Sequence, residues 1–481
     1  MKTVSRQRRD ELMDALRRGT VPMQSLDLLA VGLGRFEPTV AEELEAVKAG
    51  GARFKAVRGE YGTGKTFFSR WMAERARQVG FATSEVQISE TETPLHRLET
   101  VYRRLMERLG TPATPSGALQ HILDGWFFTL EEDVLAEGDI SANDRAQLLE
   151  RSNALMEKRL AAVTRSAPMF AVALRGYHSA RAVGDKALAD GIAAWLAGQP
   201  NVAATSKRQV GVKGDIDHFG AMSFLQGLLT VLRDSGHAGL YLVLDEVETI
   251  QRVRGDMRDK SLNALRQLID DIDSGRFPGL YLLITGTTAF YEGPQGAQRL
   301  EPLAQRLSVD FTTDAKFDNP RAVQVRLSAF DFDRLCEVGR KVRDVYTMHA
   351  AAPDRLAAKA GDAYIGELAR AVAGRLGGKV GVAPRIFLKK LVADILDRID
   401  QFPDFDPHEH YKLTIQEAEL TATERQAASA TSVDDIQLIW KDLCQGLSHL
   451  GPDRLVPPAP ARGTPNGVVH RAGTSGTRGG T

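Results

Sequence analysis

The sequence is poor in cysteine, with only Cys336 and Cys444 in 481 residues. That excludes a disulfide framework and a cysteine-rich zinc site. It has no surplus of charge, since 62 Lys and Arg balance 62 Asp and Glu. A histone-like or tail-driven nucleic-acid binder is therefore excluded, while a local basic groove is not. It contains no run of about eighteen apolar residues, so no membrane span is expected. The start, MKTVSRQRRDELMDALRRG, lacks an apolar secretory core, and a cytoplasmic protein is the expectation. No repeat with a period of about 20 to 50 residues is visible. What is present is 43% apolar and 26% charged residues, the make-up of a globular chain long enough for two or three domains.

Residues 5–18 read as an amphipathic helix with Leu12, Met13 and Leu16 on one side, stopped by Gly19. Thr39 is expected to cap a second helix that ends near Gly50-Gly51. Phe54–Arg58 reads as a strand, then comes a glycine-rich loop, a helix from Lys65 and a strand over Phe81–Ile88. This βαβ-like order implies a parallel sheet. Residues 95–235 look almost wholly helical. Leu240–Leu244 and Leu280–Thr285 are continuous apolar runs, as strands covered on both faces should be, with a polar helix over about 258–274 between them. Helical patterning returns from about 325 to Gln401. Residues 402–450 are mixed, and the acid-free, Pro- and Gly-rich 457–481 reads as a disordered tail.

Gly59-Glu60-Tyr61-Gly62-Thr63-Gly64-Lys65-Thr66, followed by Phe67, fits G-x-x-x-x-G-K-[ST] between a strand and a helix. Glycines let successive backbone N–H groups face nucleotide phosphates, and the helix adds its positive end. Lys65 is expected on the β and γ phosphates of ATP and Thr66 on Mg²⁺. The apolar run 240–244 ends in Asp245-Glu246. A strand end places Asp245 beside the phosphate loop as the second Mg²⁺ partner. Glu246 is expected to orient or deprotonate the attacking water. Glu248 reads as a solvated acid, or as one standing just behind the ligands, rather than as a ligand itself.

Three further residues are weighed. Thr287, at the end of the 280–285 strand, is the choice for a polar group facing the γ phosphate. Thr285 and Thr288 stay open, as does a plain helix-capping role. Arg306 ends a helix ahead of a short strand expected over Ser308–Thr312. It is read either as an arginine projecting to a neighbouring subunit's nucleotide or as a surface residue, with Arg299 as the alternate. Arg385 follows Pro384 in the first turn of a helix from which it can swing onto the γ phosphate. Basic groups at Arg252, Arg254, Arg258 and Lys260, and at Lys207-Arg208, are read as DNA contacts or solvated helix faces.

The blocks LRRGTVP (16–22), GEYGTGKT (59–66), WLAGQP (195–200), YLVLDEVETI (241–250), TGTTAFYEG (285–293), PLAQRL (302–307) and APRIFLKKL (383–391) occur in this order. In them the chain resembles the BrxD-like ATP-binding proteins of bacteriophage-exclusion (BREX) defence systems, over most of residues 5–400. That family is similar to AAA+ ATPases of the initiator and loader clade. The resemblance implies an α/β P-loop NTPase of AAA+-like, three-layer αβα type, with a large helical insertion and a helical lid. The divisions expected are 1–94 and 236–325 for the ATPase core, 95–235 for the insertion, 326–401 for the lid, 402–450 for a small C-terminal region and 451–481 for the tail. The resemblance also implies Arg306 as the trans arginine, Arg385 as the lid sensor, and Thr20, Val21 and Pro22 at the adenine. Its implied partners are DNA, a helicase or other BREX components, and further copies of the chain. An autonomous DNA translocase and an ATP-binding scaffold without turnover are the competing functions.

Overall fold

The computed structural model describes residues 4–428, apart from 142, 378–380, 382, 422, 423, 426 and 427. The expected tail and most of the 402–450 region therefore lie outside the described residues.

Five parallel-paired strands form one sheet: β1 (Arg53–Arg58), β2 (Ala82–Gln87), β3 (Leu240–Asp245), β4 (Leu280–Gly286) and β5 (Gln324–Arg326), in the order β2-β3-β4-β1-β5. The continuous apolar runs of β3 and β4 are explained by burial on both faces. Leu240, Leu242 and Leu244 enter one apolar cluster, while Tyr241 and Val243 enter another on the opposite face. Leu280, Leu282 and Ile284 divide from Tyr281 and Leu283 in the same alternation. Helices Glu37–Lys48 and Lys65–Gln78 cover the second face. Helix Gly255–Asp273 and the helical region cover the first. The two buried tyrosines of that second face find partners for their hydroxyls. Tyr241 donates to the Ser69 carbonyl at 3.0 Å and Tyr281 to Glu43 at 2.6 Å. This is an α/β P-loop NTPase fold, with helices on both faces of a parallel sheet.

Between β2 and β3 the described residues form eight helices, from Leu98–Arg108 to His218–Asp234. After β5, helices Phe332–Thr347, Asp362–Arg375 and Pro384–Lys389 form a separate apolar cluster with Leu12, Met13 and Leu16 of the first helix, Arg6–Arg18. Arg17 clamps that helix to the lid by a two-pronged pairing with Asp397, both contacts at 2.7 Å. The N-terminal helix thus belongs to the lid core and not to the sheet.

Two local expectations are corrected. Thr39 does not cap its helix. The helix begins at Glu37 with Pro38 in its first turn, where the fixed φ of proline suits a helix start, and Thr39 is buried inside it. Ser308–Thr312 forms no strand, and the strand in this part of the chain is β5, paired to β1. A short alternating stretch can form a strand only where a sheet edge is free, and β5 holds the edge beside β1.

Candidate functional site

Parallel pairing brings the carboxyl ends of the strands to one edge. Arg58 lies beside Gly286, and Gln87 lies beside Asp245. The loop Gly59–Thr66 leaves β1 at this edge, and the helix Lys65–Gln78 starts from it. Gly62 and Gly64 have φ of 83° and 86°, a region open to glycine and costly for other residues. At Gly59 a Cβ would meet the Thr63 hydroxyl and displace it from its place in the loop. The Thr63 hydroxyl donates to the Glu60 carbonyl at 2.8 Å and ties the loop to itself.

Lys65 is buried. Its ammonium donates to the carbonyls of Gly59 at 2.8 Å and Glu60 at 3.2 Å and lies 5.2 Å from the centre of the Tyr61 ring. Burial lowers its pKa against the pull of Glu248, Asp245, Glu60 and Glu246.

The Thr66 hydroxyl donates to Asp245 at 3.1 Å. The Thr285 hydroxyl donates to the other carboxylate oxygen of Asp245. Burial raises the Asp245 pKa, with the Thr285 hydrogen bond working against it. One hydroxyl and one carboxylate, held together beneath a phosphate loop, fit Mg²⁺, which keeps several waters and few protein ligands.

Glu246 sits at φ 59° and ψ 44°, left-handed backbone that a non-glycine residue adopts only under constraint. Its N–H donates to Asp245 and to the Thr285 hydroxyl, each at 3.2 Å. Its carboxylate accepts from Gln87 at 2.8 Å. Gln87 was not legible in the sequence, because a glutamine at the end of a short strand carries no pattern of its own.

Glu248 is not solvated. It is 4% exposed, and neither carboxylate oxygen has a hydrogen-bond partner among the described residues. The 3-10 turn Val247–Arg252 folds it inward. Burial pushes its pKa up to about 7 against the attraction of Lys65. Charge from Glu248 also raises the Tyr61 pKa, after burial.

The remaining expected residues lie as follows. It is Thr285, not Thr287, that touches Asp245; Thr287 sits at the start of the short helix Thr288–Glu292. Val21 lies against the phosphate-loop helix, whose Arg70 donates to its carbonyl at 2.8 Å, and the adjoining Pro22 is buried. Phe67 packs against both the lid cluster and the cluster beneath the sheet. Arg306 pairs within its own chain with Asp270 and donates to the Pro302 carbonyl at 2.7 Å. Arg299 pairs with Asp259. Arg385 pairs with Glu424. Of the basic residues, Arg258 is spent on backbone carbonyls of Gln251 and Val253 at 2.8 and 2.9 Å, and Lys207 pairs with Asp215.

Residues 4–415 match the model of the family described as BREX system ATP-binding protein BrxC/D. The chain belongs to this BREX ATP-binding family. No curated protein matches it in sequence. A solved structure of the Aeropyrum pernix ORC2 protein, in ADPNP-ADP complexes, aligns with 88% of this chain and 82% of its own at 13% identity and a TM-score of 0.32. That likeness is too slight to carry residue roles across. Among the described residues no helix is long and apolar enough to cross a membrane.

Proposed function

We propose that this BREX-family chain binds ATP with Mg²⁺ at the sheet edge, hydrolyses it, and uses the cycle as a switch or loader acting on DNA with a partner helicase or other BREX components in the cytoplasm. The observation that carries the reading is the chain of hydrogen bonds Thr66–Asp245–Thr285 directly beneath the lysine-bearing loop.

In this reading the N–H groups of residues 60–66 and the Lys65 ammonium hold the phosphates, and Val21 and Pro22 line the adenine. Thr66 and Asp245 hold Mg²⁺, which when bound neutralises charge developing on the phosphates. Glu246, steered by Gln87, orients a water and takes its proton as the water oxygen bonds to the γ phosphorus. The bond from that phosphorus to the bridging oxygen breaks, and ADP leaves with the electron pair. Thr287 is the further polar group near the γ phosphate. Arg385 reaches that phosphate from the lid. Arg306 serves a neighbouring copy's nucleotide once it exchanges Asp270 for it, so full turnover requires a homo-oligomer.

Calorimetric titration of ATP into the wild type and Lys65→Ala, with and without Mg²⁺, tests the reading. Binding by the wild type and its loss in Lys65→Ala support it, whereas equal binding by both overturns it. For DNA, affinity that falls steeply with salt is expected of a surface that tracks phosphates.

A further inference from the structure

The lid arginine has company. Arg385, Lys389 and Lys390 lie on one stretch of the lid, and all three are engaged by two acids that follow it in the chain. Glu424 accepts from Arg385 Nε at 2.9 Å and also from its Nη2. The Glu419 carbonyl accepts from the same Arg385 Nη2. The Glu419 carboxylate accepts from Lys389 at 2.9 Å and from Lys390 at 3.1 and 3.0 Å.

These are built contacts. Glu424 is 4% exposed, and it is oriented by the Thr421 N–H at 2.8 Å. Glu419 closes a capping box with Gln416. Burial of Glu419 works against its charge, yet the hydrogen bonds from Lys389, the Gln416 N–H and Lys390 prevail and draw its pKa down to about 2. Leu413, Ile415 and Leu420 anchor the same stretch on the lid's apolar cluster.

The place matters as much as the pairing. Arg385 Nη1 lies 3.1 Å from where a Cβ on Gly19 would stand. Gly19 leads into Val21, whose carbonyl is held by Arg70 of the phosphate-loop helix. Arg385 thus stands beside the segment that runs into Val21 and Pro22, the residues read as the adenine contacts. Its guanidinium and the two ammonium groups are directed at carboxylates, which offer the same chemistry as phosphate: planar or tetrahedral anionic oxygens taken in pairs. The family match ends at residue 415, ahead of both acids.

We propose that Glu419 and Glu424 are an internal anionic ligand of the lid, competing with the triphosphate of ATP for Arg385, so that nucleotide binding and docking of these acids oppose one another. This rests on the reading of Arg385 as the lid's phosphate contact. Linkage makes the opposition reciprocal: what ATP loses to the acids, the acids lose to ATP.

The test is a titration of a fluorescent ATP analogue into the full chain as wild type, Glu419→Gln/Glu424→Gln, Arg385→Ala and the combination of all three. The double variant should bind ATP roughly tenfold more tightly, the ordinary size of such a coupling. It should gain nothing with AMP, which lacks the β and γ phosphates. In the Arg385→Ala background the gain should vanish. Unchanged ATP affinity in the double variant, or a gain that survives Arg385→Ala, overturns the proposal. Should the double variant fold poorly, hydrogen exchange in the wild type decides. ATP should speed exchange of the Thr421 amide, and exchange there that ATP leaves unchanged is contrary. Lys65→Ala separates the two levels. If it abolishes ATP binding while the double variant behaves as wild type, the ATP site stands and only the competition falls.

Discussion

The sheet edge and the lid reach opposite arrangements with similar means. At the sheet edge, Asp245 is already joined to Thr66 and Thr285, and Glu246 is already steered by Gln87. Each of those partners is a neutral side chain that can yield or share a carboxylate with a cation. On the lid side, Arg385 is paired with the carboxylate of Glu424, as is Arg306 with that of Asp270 beside the sheet. The edge is organised in advance, because strand pairing dictates where Gln87, Asp245 and Thr285 meet. The arginines are paired within the chain, and the proposed cycle requires their release. In that proposed cycle, preorganised polar groups would supply the chemistry and released cations its control.

The contrast sharpens under substitution. The largest effect is expected from Glu246→Gln: ATP binding persists while turnover falls by about 10² to 10⁴, the usual worth of a positioned acid or base. Turnover at the wild-type rate would remove Glu246 from the chemistry. Next is Arg306→Ala, which should abolish the part of turnover that rises with protein concentration, measured as rate per site across a dilution series. A per-site rate independent of concentration in both proteins would break the trans role. Smaller is Gln87→Ala, which should slow hydrolysis by about tenfold or less with ATP affinity unchanged, since it acts through Glu246 alone.

The smallest effect concerns stability. Burial holds the Glu248 carboxyl at about 7 against an ordinary value of 4.5. The folded chain therefore binds more protons than the unfolded chain between those values, and the stability this group contributes is lost as pH rises through that window. Glu248→Gln should melt a few degrees higher than the wild type at pH 8 and alongside it near pH 4.5. A pH-independent difference between the two would place the Glu248 carboxyl outside that account.

The two regions were also unequally legible. The phosphate loop and the Asp245-Glu246 pair can be read because their meaning is local: glycines where φ turns positive, a lysine at a helix start, acids at the end of an apolar strand. The alternation of β3 between two clusters follows from the same runs. Of the two readings of Glu248, the solvated one fails, because an acid three residues past a strand carries no sign of the inward 3-10 turn that buries it. Gln87 and the Glu424–Arg385 pair depend on contacts across 159 and 39 positions, respectively. Such contacts leave no mark on either stretch alone. Thr287 and Thr285 stand two residues apart on one motif, and only the register of β3 against β4 shows which hydroxyl meets Asp245.

The most direct measurement is a structure of the full chain with a non-hydrolysable ATP analogue and Mg²⁺. The account predicts the triphosphate wrapped by residues 59–66, the Lys65 ammonium moved from the Gly59 and Glu60 carbonyls to phosphate oxygens, and the metal between Thr66 and Asp245. An analogue bound away from that loop, or a metal that ignores both residues, would contradict it.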